Sequence, residues 1–173
     1  MKLSFSIAFI LLLSLRGVAQ MPNGNNGNNN NTPNNGHNSN SLSVIQNQPV
    51  SFYYNSIDEL LNGKTISNAI ELQVDPDRNA YNIYCSISFS NPGSGLENKL
   101  SIKLASKTSP NSIDHVPAQL TLSSAPQLLL SQPQLHSNSP YYSFFYDIGV
   151  APISTFLTPG TYNFNLLFTI SQP

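Results

Sequence analysis

The chain has 173 residues, enough for one domain with tails. Seven basic and eight acidic residues make only 9% of it charged, where a typical soluble domain has about a quarter. That scarcity excludes a nucleic-acid binder with a basic surface, and a composition led by Asn, Ser, Leu, Tyr and Phe excludes a helical bundle or coiled coil.

Met1-Lys2 gives a positive start, Leu3 to Leu15 is apolar with three Ser, and Gly17-Val18-Ala19 is a small-x-small cleavage site that leaves Gln20 as the new N-terminus. This is the three-part pattern of a secretory signal peptide over residues 1–19. The apolar run is 13 residues long, short of the roughly 20 needed to span a bilayer core. The alternative is a buried or anchoring N-terminal helix. No later segment is long enough to cross a membrane, so the expected mature chain is exported to the periplasm, cell surface or medium and is not membrane-spanning. Loss of Lys2 and Arg16 leaves five basic and eight acidic residues, a mature charge of −3.

Residues 20–42 are expected to be a disordered linker. From Pro22 to Asn40 eleven of nineteen residues are Asn, so the segment has nothing to bury that would offset the entropy of ordering it. A self-associating Asn-rich tract is the competing reading.

From about Ser43 the hydrophobic period becomes two. Val50, Phe52 and Tyr54 share one parity, as do Ile70, Leu72 and Val74. Tyr81, Ile83, Cys85, Ile87 and Phe89 alternate with polar residues and Tyr84; Leu100, Ile102 and Leu104 follow, then Leu120 and Leu122. Tyr142, Phe144, Tyr146, Ile148 and Val150 form one inward row, and Tyr162, Phe164, Leu166, Phe168 and Ile170 another. An eighth strand is expected around Gln127 to Ser131, and Ile57 to Leu61 reads as a single helical turn. Alternation places one strand face in a core and the other in solvent. Breakers such as Asn62-Gly63, Asp75-Pro76-Asp77, Ser139-Pro140 and Thr158-Pro159-Gly160 separate these runs, with no helical segment between them. The expected fold over residues 43–173 is therefore all-β: a two-sheet antiparallel β-sandwich, immunoglobulin-like with Greek-key connections, with a jelly roll as the alternative.

Pro159 and Gly160 supply a turn ahead of Tyr162, a pattern that resembles the tyrosine corner of immunoglobulin-like domains. With the leader, the polar spacer and the strand Thr65 to Leu72, the chain resembles small secreted bacterial β-sandwich surface proteins of the fimbrial and spore-coat U type. The resemblance implies an extracellular structural or adhesive role and polymerisation by strand donation. Two features depart from that scheme. Residues 21–42 lack the alternating apolar stripe of a donor, and Tyr162 to Ile170 reads as a complete last strand where an acceptor needs a missing one. A self-complete domain on a tether is the preferred expectation.

No catalytic constellation emerges. Gly93-Ser94-Gly95 has the wrong spacing for a nucleophile elbow, and Cys85 is the only thiol and lies on an inward parity. His115 and His136 form no metal-ligand pair, and Asp75-Pro76-Asp77 reads as a turn rather than a cation loop. No cofactor or metal is expected. The one binding signal is aromatic: Tyr84, Tyr141 and Phe145, with Tyr53, fall on the parity opposite the core. Exposed rings stack on sugars or anchor protein partners, so a protein or glycan at the cell surface is the implied partner class, and a carbohydrate-binding or glycan-active protein is the functional alternative.

Overall fold

The computed structural model describes residues 9–17, 41–75, 80–90, 95–108, 117–133, 142–153 and 160–172. The strands are β1 (Phe9–Gly17), β2 (Ser41–Gln46), β3 (Ser51–Tyr54), β4 (Lys64–Asp75), β5 (Tyr81–Phe89), β6 (Leu100–Lys107), β7 (Leu120–Thr121), β8 (Gln127–Gln132), β9 (Tyr142–Val150) and β10 (Gly160–Ser171). One short helix, α1 (Ile57–Asn62), lies between β3 and β4.

The strands form two five-stranded sheets, in the orders β3-β1-β10-β5-β8 and β2-β4-β9-β6-β7. Every pairing is antiparallel except that of β1 with β10. The alternating residues meet in one core shared by both sheets, so the fold is an all-β sandwich. Phe52, Leu72, Ile83, Phe144, Tyr146, Phe164 and Phe168 are among its fully buried members. Phe89, Leu104 and Leu120 share the inward parity but only pack against its edge.

Two local devices shape the sheets. β4 carries a bulge, its register with β9 shifting between Ile66 and Ile70. Asn68 sits there at φ 49°, and its N–H donates to the Asp147 carboxylate at 2.9 Å. Asn tolerates this left-handed conformation better than most residues, and Asp147 satisfies an amide that the interrupted ladder leaves over. Helix α1 starts at Ser56, whose Oγ accepts from the Glu59 N–H at 3.2 Å. It ends at Gly63, φ +66°, where an added Cβ would stand 2.7 Å from the Val150 carbonyl oxygen. Both backbone conformation and space demand glycine at that turn.

The N-terminal segment departs from the helical alternative. Phe9–Gly17 is a strand, parallel to β10 over Phe9↔Gly160 to Gly17↔Phe168 and antiparallel to β3 over Phe9↔Tyr54 to Leu12↔Ser51. The physical reason is backbone pairing: a strand here satisfies the exposed ladder groups of both β3 and β10, which a helix would leave orphaned. The domain's second strand begins at Ser41, two residues before the expected start of the sandwich; the rest of the expected linker lies outside the described residues.

Candidate functional site

Of the aromatic residues singled out by parity, Tyr84 and Phe145 do not converge. Tyr84 is half-buried on β5, in register with Thr169 of β10 and Leu128 of β8. Phe145 is half-buried on β9, in register with Glu71 of β4 and Ser106 of β6. Their strands belong to different sheets and both side chains alternate with buried neighbours, so the rings occupy opposite outer faces of the sandwich. Tyr141 lies outside the described residues. Tyr53, on β3, is 52% exposed. Of the expected corner, Pro159 lies outside the described residues, Gly160 opens β10, and Tyr162 is buried in the core wall.

A cleft of about 620 Å³ opens elsewhere, where the end of β5, the turn before β6 and the segment after β7 meet. Ile87, Phe89 and Leu122 give it apolar walls, and Ser88, Asn98, Ser123, Ser124 and Glu97 give it polar groups. The Ile87 N–H donates to the Ser123 carbonyl at 2.9 Å and the Leu122 N–H to the Leu100 carbonyl at 2.9 Å, which ties these segments together. Asn98, at φ 64°, and Gly95, at φ 78°, turn the chain at its rim. A concave apolar site with a few converging polar groups suits a small ligand or a sugar ring. Sequence reading missed it because its residues come from three separate stretches, and only Glu97 carried a chemical signal.

Three of the six carboxylates that the structure describes are engaged in holding the fold. Glu59 accepts from the Asn55 N–H at 2.9 Å and pairs with the Lys64 ammonium at 3.0 Å; these bonds hold its pKa below the usual carboxylate value. Glu71 accepts from the Ser143 hydroxyl at 2.6 Å, and Asp147 accepts from the Asn68 N–H. Cys85 is fully buried, and burial pushes its thiol up to about 12, far from a reactive thiolate at neutral pH. Among the described residues no group of three His, Cys, Asp or Glu is placed to hold a metal ion.

A last feature is the berth of β1. Its neighbours present Phe52 and Tyr54 from β3, and Tyr162, Phe164, Leu166 and Phe168 from β10, all buried. The Lys64 ammonium also donates to the Tyr53 carbonyl and lies 4.7 Å from the centre of the Tyr54 ring, bracing β3.

No family model matches the sequence, and a search of curated proteins finds no relative. Among the described residues no helix is long and apolar enough to cross a membrane.

Proposed function

We propose that this chain is an exported, non-enzymatic β-sandwich module of the cell surface or periplasm, with structural or adhesive work. The observation that carries the reading is where the chemistry-bearing side chains are spent. Glu59, Glu71 and Asp147 brace a helix cap, a sheet pair and a bulge, and the Cys85 thiol is sealed in the core. A glycoside-cleaving site needs two carboxylates facing each other across a cleft, and Glu97 is the one described carboxylate lining the cleft here. The leader over residues 1–19 and the mature charge of −3 fit a soluble exported protein. The immunoglobulin-like comparison and the resemblance to fimbrial and spore-coat U proteins belong to this proposal.

A second reading, a carbohydrate-binding module, is favoured by the cleft itself. Phe89 beside Ser123, Ser124, Asn98 and Glu97 combines an apolar surface with hydroxyl, amide and carboxylate partners, the chemistry that holds a sugar ring.

The experiment is fractionation of the source cells with antibody detection, paired with a glycan array probed with the purified mature protein. Recovery from the periplasm, surface or medium, together with reduced surface attachment of a deletion strain, supports the module reading. A cytoplasmic protein beginning at Met1 refutes it. Array binding abolished by Asn98→Ala and Glu97→Gln selects the carbohydrate reading.

A further inference from the structure

We propose that the outer face of the first sheet, where β8, β5 and β10 lie side by side, is a platform that joins the cleft and binds a neutral oligosaccharide of several rings. The proposal rests on the carbohydrate reading of the cleft and extends it. The cleft holds one end of the sugar chain, and the sheet face carries the rest. None of the residues it uses belongs to residues 1–19.

Charge is divided unequally between the two outer faces of the sandwich. On the second sheet the outward positions include Glu71 and Asp75 of β4, Lys103 of β6 and Asp147 of β9. On the first sheet no described outward side chain is charged. There β5 and β10 alternate their buried residues with Asn, Ser, Thr, Tyr and Leu, and β8 adds Leu128 and Ser131. A strand face that meets only water gains solubility from charge. A face that must shed its water against a neutral partner loses by it, because a charge is costly to desolvate without a counter-charge.

The register lays out the surface, since directly paired residues share a face. Leu128, Tyr84 and Thr169 form one row across β8, β5 and β10. Ser86 and Leu167 form the next row, and Ser88 and Asn165 the one after. Tyr84 is half-buried, and Leu167 beside its row is 39% exposed. Ser88 belongs both to this face and to the lining of the cleft. β5 therefore carries one uninterrupted track from Tyr84 through Ser86 to Ser88 and on into the cleft. From Tyr84 to Ser88 the track is about 14 Å long, which suits a run of sugars better than a single ring.

The residue types match that ligand. A sugar ring has a C–H face and a rim of hydroxyls. Tyr84 and Leu167 offer an apolar surface to the C–H face. Ser86, Ser88 and Asn165, with Asn98 in the cleft, offer hydroxyls and amides that both donate and accept. These short side chains lose little rotamer freedom when a ligand fixes them. The charge selects the class of sugar. Glu97 in the cleft accepts from a hydroxyl but repels an anionic group, and no described outward side chain of this sheet is a cation that would offset the repulsion. Uronate, sialylated and phosphorylated glycans are disfavoured, and neutral ones fit.

The test uses protein purified from its source cells, with its N-terminus as found there, and variants made in the same host. Calorimetric titration compares neutral tetrasaccharides of glucose, mannose, galactose and N-acetylglucosamine with their monosaccharides and with tetragalacturonate. One neutral tetrasaccharide should bind about tenfold tighter than its monosaccharide. Tyr84→Ala and Leu167→Asp should each bring that tetrasaccharide down towards the affinity of the monosaccharide. Phe145→Ala, which removes a half-buried ring from the opposite outer face, should leave binding unchanged. Leu167 is exposed, so Leu167→Asp decides the matter if Tyr84→Ala fails to fold. Thermal unfolding of each variant confirms that the fold is kept. Binding abolished by Asn98→Ala but untouched by Tyr84→Ala and Leu167→Asp confines the ligand to the cleft; it overturns this inference and leaves the carbohydrate reading standing. Absence of binding to every neutral tetrasaccharide overturns both. A preference for tetragalacturonate overturns the assignment to neutral sugars. A wild-type dimer in sedimentation that Leu167→Asp dissociates makes a second copy the occupant of this face, and overturns the proposal.

Discussion

One chemical change, Tyr to Phe, should have opposite signs at two buried positions of the same core. The Tyr81 hydroxyl donates to Oε1 of Gln132, and both residues are buried, at 0% and 3% exposure. Tyr146 is equally buried, and its hydroxyl has no hydrogen-bond partner among the described residues. Tyr81→Phe leaves the Gln132 amide oxygen in the core without its donor, at a cost of about 1–3 kcal/mol. Tyr146→Phe removes a hydroxyl that gave up water and gained nothing, so it should be neutral or stabilising by about 1 kcal/mol. Both variants lose one oxygen atom from a packed interior, so the small void contributes equally and cancels in the comparison. The difference of roughly 1–4 kcal/mol corresponds to about 2–16 °C in midpoint for a chain of this size. Urea unfolding followed by circular dichroism reads it as a separation in midpoint concentration at unchanged slope. A Tyr146→Phe variant less stable than wild type by more than about 1 kcal/mol would show that this hydroxyl is satisfied, and equal midpoints for the two variants would refute the argument from bond inventory.

Three further outcomes are expected. Gly63→Ala should destabilise by about 1–3 kcal/mol, because a side chain is strained at φ +66° and its Cβ would meet the Val150 carbonyl at 2.7 Å; an unchanged urea midpoint would rule this out. Ser56→Ala should cost about 1 kcal/mol by removing the acceptor for the Glu59 N–H, read as loss of protection at that amide. In alkali, burial raises Tyr54 from 10.0 and Cys85 from 9.0, each to about 12, and also raises Tyr81 and Tyr146. The unfolded chain then releases protons that the folded chain keeps, so this contribution is full below pH 9 and is lost as pH rises from there through 12. Urea midpoints at pH 8, 10 and 11 should fall in that order, and a flat series would contradict the burial of these groups.

Fold class was legible because period-two patterning is a local property. The inward rows Tyr142 to Val150 and Tyr162 to Ile170 are buried as their parity requires. What parity does not carry is the sheet to which a strand belongs. Tyr84 and Phe145 read alike in sequence, yet the topology sends β5 and β9 to different sheets and their rings to opposite faces. Nor does it carry a register shift: Ile66 and Ile70 are inward candidates four apart, and the bulge between them depends on an Asp147 bond across 79 positions of chain. The cleft was illegible for the same reason, being assembled from Ile87–Phe89, Glu97–Asn98 and Leu122–Ser124. At the N-terminus the strand was not legible, because the apolar run reads equally well as a leader. A run such as Phe9-Ile10-Leu11-Leu12-Leu13 suits both an export leader and a sheet strand, because each accepts a stretch of apolar residues.

The edges of the sheets follow the same physical logic. A strand that ends a sheet is ordinarily protected by shortness, charge, proline or a bulge. β7 has two residues and β3 four, and β8 meets β5 through a register shift, while β2 runs six uncharged residues against β4 without a shift. β10 has none of these protections. It runs for twelve residues from Gly160, pairs with β5 without a shift, and places Asn163, Asn165, Leu167 and Thr169 between its buried positions, with no Lys, Arg or Pro. Such a strand is built to have a neighbour on both sides. The absence of edge protection on β10 thus agrees with its place inside the sheet, between β1 and β5.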